Sequence, residues 1–317
     1  MTKLREILRA ACEKRASSAE LSQLKNINAS NWFQMPIVPA MLTDIISSSA
    51  YRSFELQASQ LQKVDLASLN DNEKLLFFTN VYNITTVHGF IVKGLPGKNL
   101  YERTSFMRSS KYNVGGFVFS LVEIEHGILR AASSSPMLFG PFSASMAFSG
   151  KSLILILIAY YLLCIVYCLL LTHLSKLRFF VVIEKDNRLA FALKVPKPLV
   201  SFCLFTASGS SPPLVVLRDP MRVDDEMRRY SMSYMEKFVF IETHLITRAK
   251  TVWLPDLIRF YWKDFGGNRA KVLHNVMKLS NRDMQSKLDS VINSNSSVTV
   301  KPKVNFVSFD WSEMIVM

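Results

Sequence analysis

Large apolar side chains recur at helical spacing between positions 72 and 93, where Leu75, Leu76, Phe78, Tyr82, Val87, Phe90 and Ile91 fall on repeated turns. The pattern predicts a long helix. Asn70, three residues before Glu73, offers it a capping box, and Gly94, Leu95, Pro96 and Gly97 end it. Ahead of it, residues 35–70 read as short helices with a loop, anchored by Leu56, Leu61, Val64, Leu66 and Leu69. Residues 1–34 read as a charged helix and then a polar Asn/Ser stretch. Residues 111–120, with Gly115 and Gly116 between β-forming residues, suggest a turn and a short strand. Ser120 then stands at the capping offset from Glu123 and opens a helix over 121–130.

Past the middle of the chain the pattern changes. Apolar stretches alternating with prolines over 189–206 read as strand-like segments, and a Ser/Gly/Pro loop at 207–213 leads to a further strand at 214–217. An amphipathic helix is expected from Arg222 to Phe238 and a strand from Phe238 to Ile241. A helix from Trp253 to Phe265 is expected to hold Pro255 in its first turn. Another helix covers about 270–291, and the stretch from Val304 to Trp311 reads as a last strand. Helices first, then strands mixed with helices, give an α+β fold. We expect a single mixed domain over 41–312, with a helical N-terminal part and a strand-containing C-terminal part. A charged leader over 1–40 precedes it, and an apolar helical insert over 150–184 interrupts it.

With 49% hydrophobic residues and few glycines and prolines, the chain can bury a core. Its net charge of +13 is scattered among acids, as where Asp224, Asp225 and Glu226 stand beside Arg228 and Arg229. Scattered charge gives solubility and salt-sensitive attraction, so nucleic acid is not expected as a partner. The four cysteines make no disulfide framework. Cys164 and Cys168 lack partners at zinc spacing and His173 stands alone, so neither a metal nor a cofactor is expected. The first residues, mixing charged and apolar side chains, do not read as a signal peptide.

Four blocks occur in a fixed order. Glu73-Lys74-Leu75-Leu76-Phe77-Phe78-Thr79-Asn80-Val81-Tyr82-Asn83 is followed by His88. Tyr112-Asn113-Val114-Gly115-Gly116 leads to Ser120 and then to Ile124-Glu125-His126-Gly127-Ile128-Leu129-Arg130. Phe202 to Leu214 makes the third block, and Tyr261, Asp264, Phe265 and Gly266 the fourth. A closing Phe309-Asp310-Trp311 follows. This ordered set resembles the family known as domain of unknown function 547 over roughly residues 50–312, less the insert. The resemblance implies that the blocks on either side of the insert belong to one folded unit. Bacterial relatives carry cysteines in the third block, where this chain has Thr206 and Ser211. Cys203 falls at a position that is alanine in those relatives.

Two functions remain open on these residues. Asn80, His88, Glu125 and His126 lie on apolar helices, and buried polar groups need partners. They can form a core network in which they satisfy one another and backbone carbonyls, leaving a non-catalytic interaction or scaffold module with an unknown protein partner. Alternatively, His126 or His88 acts as a general base oriented by Glu125 or Asn80, with Thr206, Ser210 or Ser211 as the hydroxyl of a hydrolase or transferase. A hydroxyl is a poorer nucleophile than a thiolate, which favours the interaction reading. The helices of the first two blocks are expected to pack near the 200–217 strands.

The run from Leu153 to Leu171 carries no charge, and at about 1.5 Å per residue it is about 28 Å long, enough to cross a bilayer. Read alone, 153–171 is a transmembrane helix and makes a single-pass membrane protein. Read against the blocks on either side, a single crossing would split the folded unit. We therefore rank intron read-through first, which leaves a cytoplasmic protein, a membrane-associated segment second and a core helix third.

Overall fold

The computed structural model describes residues 39–96, 99–134, 186–206, 208–245, 249–293 and 303–310. The expected leader helix, the apolar insert and Trp311 lie outside the described residues.

Two short helices, α1 (Pro39–Ser47) and α2 (Ser49–Ser59), and a 3-10 turn (Gln60–Lys63) lead to α3 (Asp71–Lys93). The capping box is formed: the Asn70 side chain accepts from the Glu73 N–H (3.0 Å) while the Asn70 N–H donates to the Glu73 carboxyl (2.8 Å). Helix α4 (Leu100–Ser109) follows, then a hairpin of β1 (Lys111–Val114) and β2 (Phe117–Ser120). Its two-residue turn puts Gly115 at φ 59° and Gly116 at φ 84°, so both central residues need left-handed backbone.

Ser120 caps the next helix as expected, with its N–H and hydroxyl both donating to Glu123. That helix is not regular. From Glu123 to Leu129 it is wound as a π-helix, and the Arg130 N–H reaches back five residues to the Glu125 carbonyl (2.8 Å).

The strands expected at 189–206 and 214–217 are absent. Two 3-10 turns, Asn187–Phe191 and Pro198–Phe202, take the first region, and residues 211–219 belong to no sheet. Pro196, Pro198, Pro212 and Pro213 remove N–H donors that a ladder would need. Helix α5 (Val223–Phe238) agrees with expectation. It leads to β3 (Phe240–Thr243) and β4 (Lys250–Pro255), which pair antiparallel, and β5 (Lys303–Val307) lies parallel to β4. The helix expected from Trp253 is displaced, because Thr251, Val252 and Trp253 suit the centre of a sheet. Pro255 closes the strand and caps α6 (Asp256–Phe260) from outside. The helix expected over 270–291 is two, α7 (Arg269–Lys278) and α8 (Arg282–Asn293), because the Asn281 side chain caps Met284 N–H (2.9 Å) and restarts it.

The architecture is mixed α+β. One apolar cluster joins α2, α3, the hairpin and the π-helix to residues beyond the insert: Phe78, Tyr82, Phe119 and Ile128 meet Phe191, Val200, Phe205, Val215 and Met227. A second cluster, with Phe202, Tyr234, Val252, Ile258, Phe265, Val276 and Leu288, lies between α5, the three-stranded sheet, α7 and α8. Helix α5 serves both, Val223 and Met227 in the first and Tyr234 and Met235 in the second. Helix α3 alone among the described helices is long and apolar enough to cross a membrane, but most of it is buried in the first cluster.

Candidate functional site

Three separate polar constellations hold the helix residues singled out above. The first is centred on the π-helix. Glu125 is buried, and its two carboxyl oxygens accept from the hydroxyls of Tyr82 (3.3 Å) and Tyr261 (2.6 Å). One turn on, the Arg130 guanidinium lies over the Tyr261 ring, 3.7 Å from its centroid. It donates to Asp264 (2.5 Å), to the Ser201 hydroxyl (2.7 Å) and to the Ser134 carbonyl (3.2 Å). Tyr82 comes from the first block, Glu125 and Arg130 from the second, Tyr261 and Asp264 from the fourth. Burial, reinforced by the Glu125 charge, pushes both tyrosine hydroxyls well up, so they remain donors.

His126 sits at the edge of this group, its Nε2 3.8 Å from the Glu125 carboxyl and its side chain 13% exposed. Burial holds its imidazole below the usual value, and the Arg130 and Arg108 charges act in the same direction against the opposing Glu125. A neutral imidazole beside a carboxyl is a chemically competent base if a substrate hydroxyl arrives.

The second constellation surrounds His88. Its Nε2 lies 2.7 Å from the Tyr51 hydroxyl and its Nδ1 2.5 Å from the Tyr112 hydroxyl, so both ring nitrogens are engaged. Phe54 meets the ring edge-on. Burial lowers the His88 pKa, and burial with the Glu55 charge raises that of Tyr51 to about 12.

The third belongs to the asparagines of α3. Asn83 Nδ2 donates to the carbonyls of Cys203 (2.9 Å) and Val215 (3.1 Å), and its Oδ1 accepts from the Phe205 N–H (2.9 Å). Asn80 does the same one turn earlier: Nδ2 donates to the Leu217 carbonyl (2.8 Å) and Oδ1 accepts from the Leu217 N–H (3.0 Å). Two side-chain amides thus replace the neighbouring strand that the 203–217 segment lacks.

The third block folds upon itself. The Ser211 hydroxyl accepts from the Thr206 N–H (2.8 Å) and donates to the Pro212 carbonyl (2.8 Å). Ser210 accepts from the Asp310 N–H (2.8 Å), and the Thr206 and Ser208 hydroxyls lie 3.3 Å apart. Cys203 is fully buried, and that burial pushes its thiol far up.

Of the expected network among Asn80, His88, Glu125 and His126, the bond to a backbone carbonyl is present at Asn80, but the four side chains do not meet as one group. Only Glu125 and His126 come together; His88 is held by tyrosines and Asn80 by main chain. Tyr82, Arg130, Tyr261 and Asp264 were missed as partners, although each stands inside a quoted block. The i, i+5 spacing of Glu125 and Arg130, which a π-turn puts on one side, is a signal for that pair; Tyr82, Tyr261 and Asp264 carry none. Among the described residues no three His, Cys, Asp or Glu side chains converge as a metal would require.

Comparisons with curated proteins and with solved structures returned no match. A family model described as "Protein of unknown function, DUF547" matches residues 66–235. That match spans more than half of the chain and contains Asn80, Asn83, Glu125, Arg130 and the third block, and the chain belongs to this family.

Proposed function

We propose that the chain is a non-catalytic interaction module whose signature polar residues hold the fold together. The observation that carries this reading is the use made of the third-block hydroxyls. Thr206, Ser210 and Ser211 direct their hydrogen bonds into the loop or to the Asp310 main chain, and among the described residues none of them bonds a histidine. A hydroxyl nucleophile needs a base within about 3 Å. Cys203, buried and protonated, does not supply a thiolate instead.

The test is covalent labelling of the full chain with fluorophosphonate and epoxide probes. The expected result is no label above that of the heat-denatured chain. Labelling that disappears in His126→Ala would establish a hydrolase or transferase built on Glu125 and His126.

We also propose that 153–171 does not carry this unit through a bilayer in a single pass. The chain leaves the described fold at Ser134, whose N–H donates to Asp264 (3.2 Å). It returns at Asp186 and Arg188, and Arg188 donates to Glu123 (3.0 Å) and to the Val118 carbonyl. Both ends are fixed beside the same helix, and residues from both sides share one apolar cluster. Such a unit stays on one side of a membrane.

A further inference from the structure

Beyond the three constellations, a groove of about 430 Å³ runs between α5 and the 216–218 segment, lined by Val216, Arg218, Glu226, Arg229, Tyr230 and Ser233. The α5 residues at 226, 229, 230 and 233 form one stripe over two turns, about 10 Å at about 1.5 Å per residue. That length matches about three residues of extended peptide at about 3.3 Å each.

The opposite wall is the 215–218 segment, which belongs to no sheet. Val215 and Leu217 give their main-chain groups to Asn83 and Asn80 of α3. Successive residues of an extended chain point their N–H and C=O groups to opposite sides. Val216 therefore presents its pair toward the groove, and neither group has a hydrogen-bond partner among the described residues. The next group on that side, the Arg218 N–H, is taken by the Glu226 carboxyl (2.9 Å). A main-chain pair left open among the described residues can receive one residue of another extended chain.

The lining chooses its charge. Arg218 and Arg229 are exposed, and neither guanidinium makes an ion pair or hydrogen bond among the described residues. Asp225, one turn before Arg229, makes no ion pair with it. Glu226 opposes them from the floor of the groove, but it is 8% exposed and already holds the Arg218 N–H. Carboxylates are what two planar guanidinium groups without partners among the described residues bind best in a peptide.

We propose that this groove binds an extended acidic peptide segment of a partner protein, which adds as a strand to Val216 and places carboxylates on Arg218 and Arg229. This rests on the interaction reading and names its partner class.

The experiment pans a random dodecapeptide library on phage against the full chain and measures binding of the enriched peptides, synthesised with a fluorescent label, by polarisation. Enriched peptides are expected to be acidic and to weaken as salt rises. Arg218→Glu with Arg229→Glu is expected to lose about tenfold or more in affinity, equivalent to about 1.4 kcal/mol. Arg52→Glu with Lys63→Glu, the same charge change elsewhere, is expected to leave binding in place. N-methylation of alternate peptide amides is expected to abolish binding in one register and spare it in the other. Unchanged thermal unfolding of both variants shows that the fold is intact. The proposal is overturned if no peptide is enriched, if enriched peptides are neutral, or if they bind the groove variant equally. Self-association of the chain that the groove variant abolishes would assign the groove to a second copy and overturn it too. Failure on any of these counts leaves the probe-labelling result untouched, so the two readings fail separately.

Discussion

Arg130 reaches Asp264, Ser201 and the Ser134 carbonyl from a side chain that is 1% exposed, and Asp264 is 4% exposed. Removing one member of such a pair leaves the other charge buried without compensation. Arg130→Ala is expected to cost about 3–5 kcal/mol, read as a lowered urea midpoint. Tyr261→Phe removes only one donor from Glu125 and keeps the ring under Arg130, and about 1–2 kcal/mol is expected. A larger loss for Tyr261→Phe than for Arg130→Ala would contradict this account. At the same scale, His88 and His126 both have imidazoles held below the ordinary value of 6.5, by burial first. The folded chain therefore refuses protons that the unfolded chain accepts. Stability from these groups is complete above about pH 7 and is lost as pH falls through 6.5 toward the folded values. Unfolding midpoints at pH 7.5 and 5.5 are expected to differ, with a smaller difference in a His88→Gln, His126→Gln chain. The residues of this site stood in plain view as block members, yet their pairing did not. Nothing in the spacing of Tyr261 and Asp264 says that they meet Glu125 and Arg130 across more than a hundred residues.

Elements with a local cause were legible in the sequence. The capping box at Asn70, the Gly115–Gly116 turn and the Ser120–Glu123 cap are short-range signals, and each is formed. The 203–217 segment was not legible, because its pairing comes from side chains of a distant helix. Apolar stretches alternating with prolines suggested strands, and those prolines together with Asn80 and Asn83 make a clamped single chain instead. Asn83→Ala removes three hydrogen bonds to buried main chain and is expected to cost about 2–4 kcal/mol, with Asn80→Ala, half-buried, costing less. Asn83→Asp tests the direction of those bonds. It keeps an acceptor for the Phe205 N–H but faces the Cys203 and Val215 carbonyls with oxygen, so it should be at least as damaging. A harmless Asn83→Asp would mean that the clamp contributes little. Gly115 makes a second test at this scale: a Cβ there would come within 2.7 Å of the Val64 carbonyl on strained backbone. Gly115→Ala is expected to lower stability by about 1–3 kcal/mol.

For the whole molecule, the decisive region is the apolar run at 153–171. Ser134 is anchored near Arg130 at one end of the π-helix, and Arg188 is anchored to Glu123 at the other. Those anchors stand on one short helix, from Glu123 to its C-terminal cap Arg130. After removal of residues 150–184, the residues left between Ser134 and Asp186 reach about 50 Å when extended, at about 3.3 Å each, far more than is needed. The described members of the first apolar cluster, from Ile45 to Met227, come from both sides of the run. A packed interior has no place for extra large side chains, and a charge-free run left on the surface makes an apolar patch larger than soluble monomers tolerate. Deletion of 150–184 is therefore expected to raise soluble yield while leaving the unfolding transition at the same temperature or higher. The measurement is soluble expression and thermal unfolding of both chains side by side. An insoluble deletion, with the full chain extracted by detergent as a folded protein, would show that the run belongs to the fold and to a membrane. Transcript sequence across 150–184 supplies the complementary result: an intron boundary at each end would make the run no part of the mature chain.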